Sequence, residues 1–154
     1  KLTAFLVKTG VLSEQEITMR YNVLAERYNT HREIEFRTLL NMVYHQVLPA
    51  GITYKEQLST VIRNQKEIGL ESSVEVEIYK NLSSAMENLF GKARNLKTTL
   101  EATASIQHHK KGEVFARELM PLSETVAQYS NEMEDLIPDS LWPLPKYYDM
   151  LFIR

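Results

Sequence analysis

Ile78 to Thr103 reads IYKNLSSAMENLFGKARNLKTTLEAT, with Ile78, Leu82, Ala85, Leu89, Ala93, Leu96, Leu100 and Thr103 recurring at steps of four and three. A helix brings residues three and four apart onto one face, so this run predicts a narrow apolar seam of coiled-coil type. Such a seam can serve as an oligomer interface, but an internal core is the commoner use. Ser72, three residues before Glu75, has capping-box spacing and predicts where the helix starts. Lys110, Lys111 and Gly112 predict its end, with cations on the negative pole and glycine just past it.

Upstream, Gly10 follows the apolar stretch Leu2 to Lys8, where the glycine after a short helix is expected. Ser13 and Glu16 form another capping-box pair. Behind them Ile17, Tyr21, Leu24, Tyr28, His31, Phe36, Leu40, Val43 and Val47 continue the helical pattern. Pro49 interrupts it, because proline removes a helix hydrogen bond and restricts the residue before it; a kink or tight break is expected there. Helical spacing resumes through Leu58, Val61, Ile62 and Ile68 and stops at Gly69.

Downstream, a last long helix is expected over about 113–137, through Val114, Leu122, Val126, Tyr129, Met133 and Leu136, kinked or restarted at Pro121. From Pro138 onward prolines and aromatic side chains dominate, which predicts a tail docked on a surface. No stretch alternates like a half-buried strand. The fold class is therefore all-α: an elongated antiparallel helical bundle of three to four long helices, its first arm kinked near Pro49. Residues 1–137 form the bundle, and 138–154 are the docking tail of the same domain.

The bulk chemistry narrows the function. The 154 residues suit one domain, and 18 Lys+Arg against 20 Asp+Glu leave a net charge of −2, without the basic surplus of a nucleic-acid binder. No segment approaches the ~20 apolar residues that cross a bilayer, and no secretory signal pattern opens the chain. The absence of cysteine fits a reducing compartment, so a cytoplasmic location is expected. The chain starts at Lys1 rather than Met, which suggests a piece of a longer protein.

No catalytic constellation emerges. Gly-x-Ser-x-Gly is absent and the five glycines are scattered singly, so neither a nucleophile elbow nor a phosphate cradle is expected. His31 and His45 lie fourteen residues apart, about 21 Å along a helix, too far to share a metal. His108 and His109 are adjacent and diverge by about 100° on a helix. Glu75/Glu77 and Glu132/Glu134 sit two apart and face away from each other. Lys92, Arg94 and Lys97 read as a solvated basic face. No catalytic, cofactor-binding or metal-binding residue is expected in this chain.

The closing segment Leu141-Trp142-Pro143-Leu144-Pro145-Lys146-Tyr147-Tyr148-Asp149-Met150-Leu151-Phe152 resembles the extreme C-terminus of type III glutamine synthetases, the large bacterial form. Three more stretches agree in order and spacing: Phe5 to Ser13 followed by Arg20-Tyr21, the junction Leu48 to Tyr54, and Met120-Pro121-Leu122. The resemblance implies a C-terminal helical fragment of an enzyme that ligates ammonia to glutamate with ATP and magnesium or manganese. The family's catalytic motifs lie upstream of this region and none is present here, so no catalytic residue carries over.

The same resemblance implies a structural or assembly role, with two partners: the catalytic domain of the parent chain and neighbouring subunits of a ring-based homo-oligomer. Trp142, Leu144, Tyr147, Tyr148, Leu151 and Phe152 are the candidate latch to the catalytic body. The competing reading is that they close this domain's own core. A free-standing helical adaptor, binding a partner helix in a groove, is the alternative function.

Overall fold

A computed structural model describes residues 2–146, apart from the side chains of Leu2, Ala4, His108 and His109. Six α-helices hold the described chain: α1 Leu2–Lys8, α2 Glu14–Met42, α3 Leu48–Glu67, α4 Ser73–Ala102, α5 His108–Val114 and α6 Met120–Leu136. No strand occurs among the described residues. The protein is an all-α helical bundle.

Its helix boundaries follow local chemistry. At the start of α2 the Ser13 hydroxyl accepts the Glu16 amide at 3.2 Å, while the Glu16 carboxylate accepts the Ser13 amide at 2.8 Å. That is the expected capping box, and it satisfies two amides that a helix start leaves without partners. Gly10 and Gly69 each take positive φ, 68° and 78°. Each closes a helix end with two reversed hydrogen bonds, Gly10→Val7 with Val11→Leu6, and Gly69→Lys66 with Leu70→Gln65.

Neither internal proline breaks its helix. Between α2 and α3 a π turn spans Val43–Val47, and between α5 and α6 another spans Phe115–Leu119. Leu48 donates to the carbonyl of Val43, and Met120 to that of Phe115, each five residues back. A proline ring would collide with the carbonyl four residues earlier. The wider turn moves that carbonyl aside, so Pro49 and Pro121 each sit at the second position of a continuing helix. The interruption expected at Pro49 is thus a π turn in an unbroken helical path.

The register of the bundle is legible in its contacts. Tyr44 meets Phe90, Gly51 lies against Met86, Lys55 stands over Tyr79 and Gln65 bonds Glu75, so α4 runs antiparallel to the first arm. Gly112 lies against Asn29, Phe36 meets Phe115, and Gly51 lies against Met133, so the third arm runs parallel to the first. The predicted seam forms the centre. Leu82, Ala85, Leu89, Ala93, Leu96, Leu100 and Thr103 are buried, with Ile78 packed at the edge.

Three boundary expectations need correction. The seam helix ends at Ala102, followed by a 3-10 turn over Thr103–Ser105, and Lys110-Lys111-Gly112 belongs to α5 instead. Gly112 marks a close crossing rather than a helix end: a Cβ there would lie 3.0 Å from Asn29 Oδ1. The last helical arm starts earlier, at His108, and its π turn buries Phe115 and Leu119 fully. Ser72 precedes α4 without a side-chain cap, its backbone (φ −115°, ψ 52°) lying outside the extended region of an N-cap, and the Glu75 carboxylate instead accepts from Gln65 Nε2 at 2.9 Å.

Burial is uneven along α2. Phe36 and Leu40 enter the core, as do Val43 and Val47 of the π turn. Toward the N-terminus no residue from Glu14 to Tyr28 is buried, and only Ile17 and Ala25 are half-buried. The N-terminal part of the predicted stripe, Ile17 to Tyr28, therefore lies off the core-facing line and outside the buried core.

Candidate interaction surface

Past α6 the chain turns sharply at Pro138. The Leu141 and Trp142 amides donate to the Pro138 carbonyl at 2.9 and 3.1 Å. This turn lays the segment back over α2 and α6, where Trp142 is buried and Leu144 half-buried against the core. Lys146 ties the fold-back down by donating to the Glu134 carbonyl at 3.3 Å and pairing with Asp139. Under the segment lies an apolar cavity of about 350 Å³ bordered by Leu39, Met42, Ser130 and Trp142. Trp142 Nε1 and Ser130 Oγ are buried there with no hydrogen-bond partner among the described residues. Of the six candidate latch residues, Trp142 and Leu144 are thus brought together on the bundle's own core. Tyr147, Tyr148, Leu151 and Phe152 lie outside the described residues.

The titratable groups examined as candidate sites are scattered. His31 and His45 are both exposed. Glu75 is held below the usual carboxylate range by its bond from Gln65, while Glu77 is exposed. Glu132 is exposed and Glu134 half-buried. Lys97 reaches Glu101 at 4.0 Å, Arg94 is exposed and Lys92 is half-buried. Among the described residues no three His, Cys, Asp or Glu side chains gather as a metal ion would require. No described helix is long and apolar enough to cross a membrane.

What the surface does offer is apolar area at one end. Phe5 and Val11 are 61% and 64% exposed, and Met19, Tyr21, Val23 and Leu24 range from 59% to 67%. On α2, Ile17, Tyr21, Leu24 and Tyr28 follow one another at steps of four, three and four along a single stripe. Tyr28 precedes the buried Asn29, so this stripe stands about 100° round the helix from the core-facing line. Met19 and Val23 lie on a second face. Sequence periodicity showed the first stripe but not that it lacks a covering partner, and it did not single out Met19 and Val23.

The family model for the glutamine synthetase C-terminal domain matches residues 1–66, which include all of this exposed arm. Over 98% of its length the chain is 28% identical to a glutamine synthetase of Bacteroides fragilis. It is 27% identical over 96% of its length to a type-3 glutamine synthetase of Dictyostelium discoideum, and 25% identical over 93% to a glutamine synthetase of Butyrivibrio fibrisolvens. The chain spans about a fifth of the length of these curated relatives, 22%, 21% and 21% respectively. The chain is thus similar, nearly from end to end, to the C-terminal portions of glutamine synthetases, the type-3 form among them, and its residues 1–66 match the family's C-terminal domain.

Proposed function

We propose that this chain is the structural and assembly domain at the C-terminal end of a glutamate–ammonia ligase, a cytoplasmic enzyme of glutamine biosynthesis and nitrogen assimilation. The observation that carries the reading is the alignment of 98% of this chain with 22% of a glutamine synthetase. In this reading ATP and magnesium or manganese belong to the parent enzyme. No catalytic step is assigned to the described residues in this reading.

A stiff bundle with a continuous apolar core suits a spacer or brace between larger bodies. Its partners are the catalytic domain of the parent chain and neighbouring subunits of a ring-based homo-oligomer. Trp142 and Leu144 anchor the tail to the bundle, and Tyr147, Tyr148, Leu151 and Phe152 are the residues proposed to latch it to the catalytic body.

Removing residues 138–154 from the full enzyme tests this. The expected result is loss of assembled oligomer on size-exclusion chromatography with light scattering, with the KM for glutamate little changed in whatever assembled enzyme remains. An enzyme of unchanged size and stability after the deletion would refute the role, as would glutamine formation by the 154-residue chain alone.

A further inference from the structure

A helix that only braces its own bundle needs one apolar face, turned inward. The first half of α2 carries apolar side chains on two faces and buries neither, and Phe5 of α1 is exposed as well. Val7 and Ile17 share a cleft between α1 and α2, leaving Met19, Tyr21, Val23 and Leu24 facing solvent. Exposed apolar surface on two faces of one helix marks a place where other polypeptide packs. The charges along the arm, Lys8, Glu14, Glu16, Arg20, Glu26 and Arg27, balance, so its partner is selected by apolar fit rather than by charge.

We infer that α1 and the first half of α2 form the face on which the preceding polypeptide of the full-length parent packs. This rests on the reading above and adds which face is used. The occupant follows from the relatives. They are nearly five times as long as the aligned region, and this chain corresponds to their C-terminal portions, so a large body adjoins at the arm. Exposed apolar residues at the opposite tip, Ile68, Leu70 and Val74, lie far along the bundle from that junction and serve as a comparison.

Met19, 67% exposed, is a direct reporter, because hydroxyl-radical oxidation of methionine tracks access. The rate at Met19 is measured in the 154-residue chain and in the full-length parent, with the fully buried Met133 as the slow reference. The inference expects oxidation of Met19 to slow at least tenfold in the parent. It also expects Val23→Glu with Leu24→Glu to reduce assembled parent at least tenfold while shifting the melting temperature of the 154-residue chain by less than about 2 °C. Ile68→Glu with Val74→Glu should leave assembly intact.

Equal Met19 oxidation in both proteins would overturn the inference. So would protection that the 154-residue chain reproduces by self-association, which would assign the face to a second copy. If deleting the whole domain disrupts assembly but the arm substitutions do not, the inference falls and the structural role stands. If neither has any effect, both fall.

Discussion

Lys111 Nζ lies 2.7 Å from Glu33 Oε2, joining α5 to α2 across 78 positions of sequence. The ammonium also stands 5.4 Å from the centroid of Phe115, whose ring meets Phe36 edge-on at 5.5 Å. Glu33 further accepts from Arg37 at 2.9 Å, one helical turn along. One carboxylate thus holds two cations where the third arm begins its crossing of the first. Lys111, at 14% side-chain exposure against 28% for Glu33, is the more shielded partner.

The pair makes stability depend on pH. The bonds from Lys111 and then Arg37 hold the Glu33 carboxyl below its usual range. A carboxylate whose folded pKa is depressed contributes fully above the unfolded pKa, near 4.3, and loses that contribution as pH falls through the folded value. Glu33→Gln should therefore cost about 0.5–1 kcal/mol at neutral pH, as expected of a partly solvated pair. The gap between wild type and variant should close below about pH 4. Urea unfolding across pH checks this, and a gap that widens in acid would contradict it.

Two helical glycines should respond in opposite directions. A Cβ on Gly91 would have nothing within 4 Å, so Gly91→Ala adds only helix propensity and should stabilise by about 0.5–1 kcal/mol. A Cβ on Gly51 would lie 2.7 Å from Met133 Cε and 2.9 Å from Met86 Sδ. Methionine tips can shift to admit one carbon, but Met133 is fully buried and has little space to retreat. Gly51→Leu should therefore overpack the contact and cost about 1–3 kcal/mol. Thermal melts of the two variants should move apart, by about 2–4 °C for each kcal/mol.

Leucines at equivalent-looking places in the sequence should behave unequally. Leu89 in the seam has no exposed surface, and Leu24 on the arm is 65% exposed. Leu89→Ala removes packed methyl groups and leaves a cavity, at a cost of about 2–5 kcal/mol. Leu24→Ala should change the stability of the 154-residue chain by no more than about 0.5 kcal/mol. Equal losses on denaturant unfolding would mean that the arm is packed within this chain.

That contrast shows what periodicity can and cannot convey. Steps of three and four identified the seam from Leu82 to Thr103 because one helix there is covered along one face. The same steps through Tyr21, Leu24 and Tyr28 mark a face but cannot say which chain covers it. Phe115 and Leu119 precede Leu122 and Val126 at steps of four, three and four and so keep the apolar register, whereas Val114, on the expected line, is one residue off it and only half-buried. Gly112 imitated a helix end, yet its missing side chain serves a helix crossing, a long-range contact that local sequence does not encode. The resemblance to glutamine synthetases was legible in the closing segment, although Trp142 lies in this domain's own core.

Trp142 supplies the last test, because it is the single tryptophan of the chain and reports its own surroundings by fluorescence. The residue is buried, at 8% exposure, but Nε1 has no hydrogen-bond partner among the described residues. A buried donor without a partner offsets part of what the ring's burial contributes. Trp142→Phe removes that donor and keeps most of the aromatic packing, so it should cost no more than about 1 kcal/mol. Trp142→Ala leaves the fold-back segment without its anchor and should cost about 3–5 kcal/mol. Denaturant unfolding of both variants, followed by circular dichroism, separates the contributions. If phenylalanine proves as costly as alanine, the indole N–H is bonded, and its place at the cavity between α2 and α6 needs revision.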